Sequence, residues 1–401
     1  MESKTKDRLK IREEKLNALL DLTNAINANI SNQELFEHYK KVITVDLAIA
    51  QFALFIKEKT WSCAIQNEVP EERILEIQKN SSAFEENNLA LKDWGASGNL
   101  DIVLPISKDD KPIAFIFLGD GDNDQLSMSP SVKHMRFVQT LTSILVVAIE
   151  NKKLQEKSIQ QARLKRELEL AAEMQNMLLP SALPSNDHIK VQALYQAHGE
   201  VGGDYYDFFY TSPQEWICCM ADVSGKGISA AFLMAGFQAH IKAIFHQPNV
   251  SFQDAIQSLN QRVLEASRGD RFITLFLCRF NSETNIFEYL NCGHNPAILT
   301  VNGHSEWLNP SIPGLGMLEE LPWVETSTLK IATPFSLLTY TDGLIEIENH
   351  QGEAFGEQRI MHHLLHHTIE NLPNTLLKEA LQFKGEEPFV DDLAILSIQQ
   401  K

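Results

Sequence analysis

Met220-Ala221-Asp222-Val223-Ser224-Gly225-Lys226-Gly227 is the stretch that decides how most of this chain folds. An apolar, strand-like run, Trp216–Met220, precedes it, and it leads into Gly227–His246, whose pattern reads as a helix. A single aspartate at a strand end, beside small residues and glycine, is ordinary turn chemistry. Here the arrangement recurs in Val201-Gly202-Gly203-Asp204-Tyr205-Tyr206-Asp207, in Leu338-Thr339-Tyr340-Thr341-Asp342-Gly343, and in Asp391-Asp392 before the run Leu393–Ile398. Carboxylates brought together repel, and burying them is costly unless cations neutralise them. Oxygen-only clusters of this kind suit hard cations such as Mg²⁺ or Mn²⁺. A pair of such ions can clamp a phosphate and lower the pKa of a shared water.

Working outward, the chain from about residue 189 alternates strand and helix patterns. Helices are expected at Gly227–His246, at Ser251–Ser267 with Ser251 and Asp254 as a capping pair, at Gly356–Ile369 and at Leu372–Lys384. Strands are expected at Glu215–Ala221, Phe272–Phe280, Ile286–Leu290, Ala297–Val301, Phe335–Tyr340 and Leu393–Ile398. That much chain suffices for one sizeable core.

Five ordered motifs carry a family resemblance: Gly202-Gly203-Asp204-Tyr205-Tyr206-Asp207, Ala221 to Gly227, Asn291-Cys292-Gly293-His294-Asn295-Pro296-Ala297, Thr341-Asp342-Gly343, and Asp391-Asp392. Their order and spacing resemble the SpoIIE-like phosphatases, a bacterial branch of the metal-dependent PPM (protein phosphatase 2C-like) serine/threonine phosphatases. The segment Leu170 to Pro180 also resembles the stretch that precedes that domain. The resemblance implies a C-terminal PPM-type α-β-β-α sandwich over 181–401, holding two Mn²⁺ or Mg²⁺ ions at one end. By motif it implies Asp204, Asp222, Asp342 and Asp391 as ligand carboxylates and the Val223 carbonyl as a further ligand, with Asp392 the lesser candidate of its pair. Asp207 belongs to the motif, with a structural role open. The family often has Ser or Thr where this chain has Ala394, which puts a hydrogen bond to a ligand in doubt. His294 reads either as proton donor to the leaving serine oxygen or as a fixture of its loop. The domain is poor in arginine and none lies in the motifs, so neutralisation of the phosphoryl group falls chiefly on the metals.

Upstream, Leu9, Arg12, Leu16, Leu19, Thr23, Ile26 and Ile30 recur in steps of three and four, as a heptad-like seam or as an amphipathic helix on its own domain. Two hairpins follow, Leu47–Lys57 with Trp61–Gln66, and Asp101–Ser107 with Pro112–Leu118. A helix, hairpins and a long closing helix resemble a GAF domain, without the Asn-Lys-Phe-Asp signature of cyclic-nucleotide binders, so an unknown small ligand or signal is expected there. From Ser129-Pro130 the sequence is helix-compatible to Pro180, about 75 Å if unbroken. Its second part carries Leu164, Leu168, Ala171, Gln175 and Leu178 at alternating spacing, with Gln175 as a register-fixing polar residue in a parallel dimer connector, the alternative being a solvated helix of a monomer. The fold class is thus α+β, divided as 1–30 N-terminal helix, 31–150 GAF-like sensor, 151–180 helical connector and 181–401 phosphatase.

Net charge narrows the partners. With Lys+Arg 35 against Asp+Glu 53 the chain carries −18, which repels phosphate backbones, so no nucleic acid is expected. Contiguous apolar runs such as Ile144–Ile149 fall short of a membrane span, and the first residues lack the apolar core of a signal peptide. No membrane partner and a cytoplasmic location follow as expectations, with Cys63, Cys218, Cys219, Cys278 and Cys292 as reduced thiols. No cysteine is followed by arginine at Cys-x₅-Arg spacing, and Gly225-Lys226-Gly227-Ile228 lacks the spacing of a P-loop and reads as a flexible turn. The run His362-His363-Leu364-Leu365-His366-His367 has no acidic companion at zinc-site spacing and reads as a polar helix face. The resemblance then implies a sensor-regulated protein serine/threonine phosphatase acting on a phosphorylated STAS-domain anti-sigma-factor antagonist in partner switching. A catalytically silent binding module of the same fold, and a metal-dependent phosphatase of small phosphorylated molecules, stand as alternatives.

Overall fold

Alternation of successive side chains between two packed layers organises both halves of the chain in the computed structural model, which describes residues 2–81, 100, 102–120, 129–247, 250–321, 324–366 and 371–401. The chain divides into two units, 1–161 and 162–401.

The first unit comprises α1 (Glu2–Asn27), α2 (Asn32–Lys41), a π-helical turn (Val42–Asp46), β1 (Gln51–Lys57), β2 (Trp61–Asn67), α3 (Glu71–Lys79), β3 (Ile102–Lys108), β4 (Lys111–Gly119) and the beginning of α4 (Pro130–Asn176). Its sheet has the order β2-β1-β4-β3, with every neighbouring pair antiparallel. On β1, Phe52 and Leu54 join the layer of Leu22, Tyr39, Leu141 and Leu145, whereas Ala53 and Phe55 face Trp61, Ile77 and Phe117. Both faces are covered, so β1 reads as an unbroken apolar run rather than an alternating one. The two expected hairpins are present; Asp101 lies outside the described residues. The N-terminal seam divides: Leu9 and Leu16 are 56% and 58% exposed, while Leu19, Ile26 and Ile30 pack on the unit's core beside Ala18, Leu22 and Ala25. Ser31 starts α2 as a capping box, its hydroxyl accepting the Glu34 N–H and Glu34 accepting the Ser31 N–H at 2.8 Å.

Two helices, α4 and α5 (Ile228–Phe245), contain a window long and apolar enough to cross a membrane by length and composition. Polar residues interrupt both windows, so a reading from contiguous apolar runs passes over them. A third of each window is buried: Val138, Leu141 and Leu145 of α4 enter the first core, and Leu233, Met234, Phe237 and Ile241 of α5 enter a core of the second unit.

The second unit contains β5 (Ile189–Gln196), β6 (Tyr205–Ser212), β7 (Glu215–Val223), α5, α6 (Phe252–Ser267), β8 (Ile273–Asn281), β9 (Ile286–Cys292), β10 (Ala297–Val301), β11 (His304–Leu308), β12 (Ser327–Lys330), β13 (Phe335–Tyr340), α7 (Asp342–Ile345), α8 (Gly356–His366), α9 (Leu372–Lys384) and β14 (Leu393–Gln400). Two five-stranded antiparallel sheets, β11-β10-β13-β14-β5 and β12-β9-β8-β7-β6, face each other. Between them lie Phe208, Trp216, Cys218, Met220, Phe276, Phe280, Phe335, Leu337 and Leu396. The outer face of the second sheet, with Tyr205, Cys219, Leu275 and Leu277, is covered by α5 and α6. That of the first, with Leu338, Tyr340, Leu393 and Ile395, is covered by α7, α8 and α9. This is an α-β-β-α sandwich.

Each helix and strand expected in this unit is present, with ends that coincide or differ by one or two residues; the end of the expected helix Gly356–Ile369 runs beyond the described residues. Ser251 caps α6, accepting the Asp254 N–H at 3.1 Å. One expectation fails on α8. His363 is only 2% exposed and its Nδ1 is 2.9 Å from Glu379 Oε1 on α9, so this histidine ties two helices together instead of lying on a polar face.

Candidate active site

Strand parity brings the acidic motifs to one end of the inter-sheet core. Strands β6 and β7 pair with Tyr205 opposite Ala221 and Asp207 opposite Cys219. Asp204 shares the parity of Tyr206 and Phe208, and Asp222 that of Cys218 and Met220, all of which face the other sheet. From that other sheet, Asp342 follows β13 and Asp391-Asp392 precede β14, two strands paired with Tyr340 opposite Ile395. The Thr341 N–H donates to the Ala394 carbonyl at 3.0 Å. The Thr341 hydroxyl accepts the Ala394 N–H at 2.9 Å and donates to Asp204 Oδ2 at 2.6 Å. Thr341 thus supplies to Asp204 a hydrogen bond from the opposite sheet, although the residue at 394 is alanine.

The carboxylates sense one another. Burial above all, and then the Asp222 charge, raise the Asp204 carboxyl well above the ordinary range. Burial first and Asp342 second push Asp222 up to about 7. Burial, Glu346 and Asp391 push Asp342 up to about 6, against a backbone hydrogen bond from Gly343 and the nearby Lys226 charge. Desolvation together with like-charge repulsion is the condition that a bound divalent cation relieves. Among the described residues no three His, Cys, Asp or Glu side chains stand in a ready coordination geometry. Instead Lys226 Nζ lies 2.9 Å from Asp391 Oδ2.

Two further observations fit hard cations here. The donor set is entirely oxygen. The Tyr195 hydroxyl is a buried polar atom with no hydrogen-bond partner among the described residues, and it occupies, with Asp392 Oδ2, the space a side chain on Gly202 would fill. The Val223 carbonyl faces the same loop, since a Cβ on Gly203 would stand 3.0 Å from its oxygen.

Asp392, buried at the same place, has both oxygens committed to backbone: Oδ1 accepts the His198 N–H at 2.7 Å and Oδ2 the Gly203 N–H at 2.6 Å. It anchors the first ligand loop, which leaves Asp391 as the ligand candidate of the pair. Asp207 is buried on the α5 side, accepting from Tyr205 Oη at 2.5 Å and paired with Lys242 Nζ at 2.9 Å. His294 is enclosed, its Nδ1 2.8 Å from the Thr274 hydroxyl and its N–H donating to Asn291 Oδ1 at 2.8 Å. Burial holds its imidazole down to about 4.

Gln175, expected in a dimer seam, is buried against its own unit instead. Its Nε2 donates to the Gly202 carbonyl at 2.6 Å and its Oε1 accepts the Gly202 N–H at 3.1 Å. A seam directed at another helix predicts an exposed amide; this one satisfies both backbone groups of the residue two before Asp204. The polar break in an apolar spacing was its sequence signal. Thr341 lay unremarked inside a quoted motif, and nothing marked Tyr195.

A four-layer sandwich with acidic loops gathered at one end of its inter-sheet core defines the PPM class of phosphatase fold. The family model described as "Stage II sporulation protein E (SpoIIE)" matches residues 212–401, and that stretch of the C-terminal unit is a SpoIIE-type PPM phosphatase domain. The chain is 27% identical over 223 residues to "Protein IcfG" of Synechocystis sp., covering 49% of this chain and 35% of that protein. It is 27% identical over 187 residues to "Phosphoserine phosphatase RsbP" of Bacillus subtilis, covering 45% of this chain and 46% of that one. The chain therefore spans less than half the length of these curated relatives. In fold it is similar to the SiaA-PP2C domain of Pseudomonas aeruginosa, with TM-score 0.52 and 17% identity over 60% of this chain and 99% of that one.

Proposed function

We propose that this protein is a metal-dependent protein serine/threonine phosphatase of the cytoplasm, acting on a phosphorylated STAS-domain antagonist in partner switching. The observation that carries the reading is the convergence of Asp204, Asp222, Asp342 and Asp391 at one end of the sandwich, with burial and mutual repulsion raising three of them. These four and the Val223 carbonyl are the groups that would hold two Mn²⁺ or Mg²⁺ ions. Bound there, such ions supply Lewis acidity toward a phosphoryl oxygen and a water of lowered pKa. The chain's own contribution is placement. Thr341 orients Asp204, Asp392 and Gln175 hold the loop before it, and Arg271 holds the loop after Asp222 through the Ser224 carbonyl and the Ser229 hydroxyl. His294, neutral and enclosed at neutral pH, serves as a loop fixture rather than a proton donor.

The test is phosphate release from a phosphoserine STAS protein, with and without Mn²⁺, on the wild type and on Asp342→Asn. Release that needs Mn²⁺ and falls at least about 100-fold in the variant is expected. Absence of turnover in the wild type would leave the binding module, which the open arrangement of the carboxylates also accommodates. Faster turnover of a nucleotide than of the phosphoprotein would leave the small-molecule enzyme.

The first unit reads as the GAF-like sensor and α4 as the connector of a homodimer. What supports control through the connector is that α4 carries the Gln175 contact with Gly202. Gln175→Leu would leave both backbone groups of Gly202 without their partner, at a cost of about 1–3 kcal/mol. It is expected to weaken Mn²⁺ binding and lower kcat/KM about tenfold, read by calorimetry and phosphate release. Equal activity of the variant and the wild type under every input would exclude this route.

A further inference from the structure

We propose that Lys226 is an exchangeable cation of this site: it neutralises Asp391 while no metal is bound, and it moves to the substrate's phosphoryl group once a divalent ion takes that carboxylate. The inference rests on the phosphatase reading and deepens it.

The placement comes from the loop after β7. Ser224 is fixed on both sides, its hydroxyl accepting the Phe272 N–H at 2.9 Å and its N–H donating to the Phe272 carbonyl at 2.9 Å. Arg271 adds bonds to the Ser224 carbonyl and the Ser229 hydroxyl. The backbone around Lys226 is therefore tethered, while its side chain is 50% exposed. The ammonium bonds Asp391 Oδ2 at 2.9 Å and also donates to the Val390 carbonyl. It is felt electrostatically by Asp342 as well.

Those bonds hold a carboxylate that the proposed metal set requires. Asp391 Oδ1 already accepts the Asp392 N–H at 2.8 Å, so Oδ2 is the oxygen that Lys226 and a divalent ion would compete for. A displaced lysine has four rotatable bonds and a tethered Cα, and it stays at the mouth of the site. A dianionic phosphoryl group arriving there adds the negative charge that the carboxylate no longer offers. Lysine suits such a role as a mobile point charge. Arg271, the other cation at this loop, has its guanidinium committed to backbone and hydroxyl oxygens.

The test uses the full chain, with Lys226→Gln and Lys226→Arg. Calorimetric titration with Mn²⁺ alone should give a Kd several-fold tighter in Lys226→Gln, because the competitor is gone. At saturating Mn²⁺, the KM of Lys226→Gln for the phosphoserine STAS protein should rise at least tenfold with kcat changed less, and Lys226→Arg should recover part of that KM. A third readout follows the exchange itself: reductive methylation of Lys226, scored by peptide mass spectrometry, should increase with Mn²⁺ and decrease again when inorganic phosphate is added. Unchanged or weaker Mn²⁺ binding in Lys226→Gln, an unchanged KM, or methylation indifferent to Mn²⁺ would each overturn the exchange while a wild type that turns over keeps the phosphatase reading. A wild type without turnover on any phosphoserine substrate overturns both.

Discussion

Asp222→Asn is expected to abolish Mn²⁺-dependent phosphate release, by at least about 100-fold in kcat/KM, and at the same time to make the metal-free protein more stable at pH 8. The two effects share one cause. Asp222 sits at the end of a buried strand where desolvation and Asp342 push its carboxyl up to about 7 from an ordinary 3.8. Its proton is therefore bound more tightly in the folded than in the unfolded chain. The stability this provides is fully present below the unfolded value and is lost as pH rises through the folded one. Asp342, raised to about 6, acts in the same direction over a narrower window. Metal-free wild type should thus melt lower at pH 8 than at pH 5, by an amount on the order of 1–3 kcal/mol once solvation of these partly exposed groups is discounted. Asparagine keeps the shape and removes the charge, so the variant should lose most of that pH dependence. Excess Mn²⁺ should raise the melting temperature of the wild type at pH 8 and leave the variant nearly unmoved. Thermal melts of chelator-dialysed protein at both pH values, with and without Mn²⁺, check it. A variant no more stable than wild type at pH 8 would show that the carboxylates do not repel as the burial implies.

Much of this candidate site was legible because an aspartate at the end of an apolar strand is a local pattern, with glycine adjoining it at Asp204 and Asp342, and its fourfold recurrence sets a direction that no single copy has. The layers were legible for a similar reason: Ala297–Val301, Phe335–Tyr340 and Leu372–Lys384 read from hydropathy alone with the ends they have in the fold. What stayed hidden depends on partners distant in sequence. Thr341 bonds Asp204 from 137 positions away, and Asp392 meets Gly203 across 189. Gln175 stood out as a polar break but was assigned to the wrong neighbour, since spacing on a helix says which residues share a face and not what covers that face. His363 failed for the same reason. The helices α2 and α3 were missed because each is short, although Ser31 and Glu34 spell a capping box.

Gly343→Ala should be the most damaging single-methyl change in the phosphatase unit. In the sequence Asp342-Gly343 reads as a turn glycine, chosen for backbone freedom; the fold requires it for closeness instead, since its φ is not among the positive ones. A Cβ there would be driven into the Asp392 carbonyl oxygen and would stand 2.7 Å from the carbonyl carbon and 3.4 Å from that of Asp391. These are main-chain atoms, so no rotamer change relieves the clash. The first turn of α7 must move away from the start of β14. That movement strains the Thr341 bonds to Ala394 and Asp204, and it separates Asp342 from Asp391. Overpacking of this kind costs about 1–3 kcal/mol or more, and a displacement near 1 Å at a reacting centre costs about 100-fold in rate. Gly343→Ala is therefore expected to lose at least about 2 kcal/mol in a denaturant titration and about 100-fold in kcat/KM, with Mn²⁺ binding weakened in parallel. Gly236→Ala, in the middle of α5 with no atom within 4 Å of the added Cβ, is the matched control. It should be neutral or more stable by up to about 1 kcal/mol. Equal behaviour of the two variants would mean that the β14 start yields to a methyl group, and that the register between Asp342 and Asp391 is not what holds the site together.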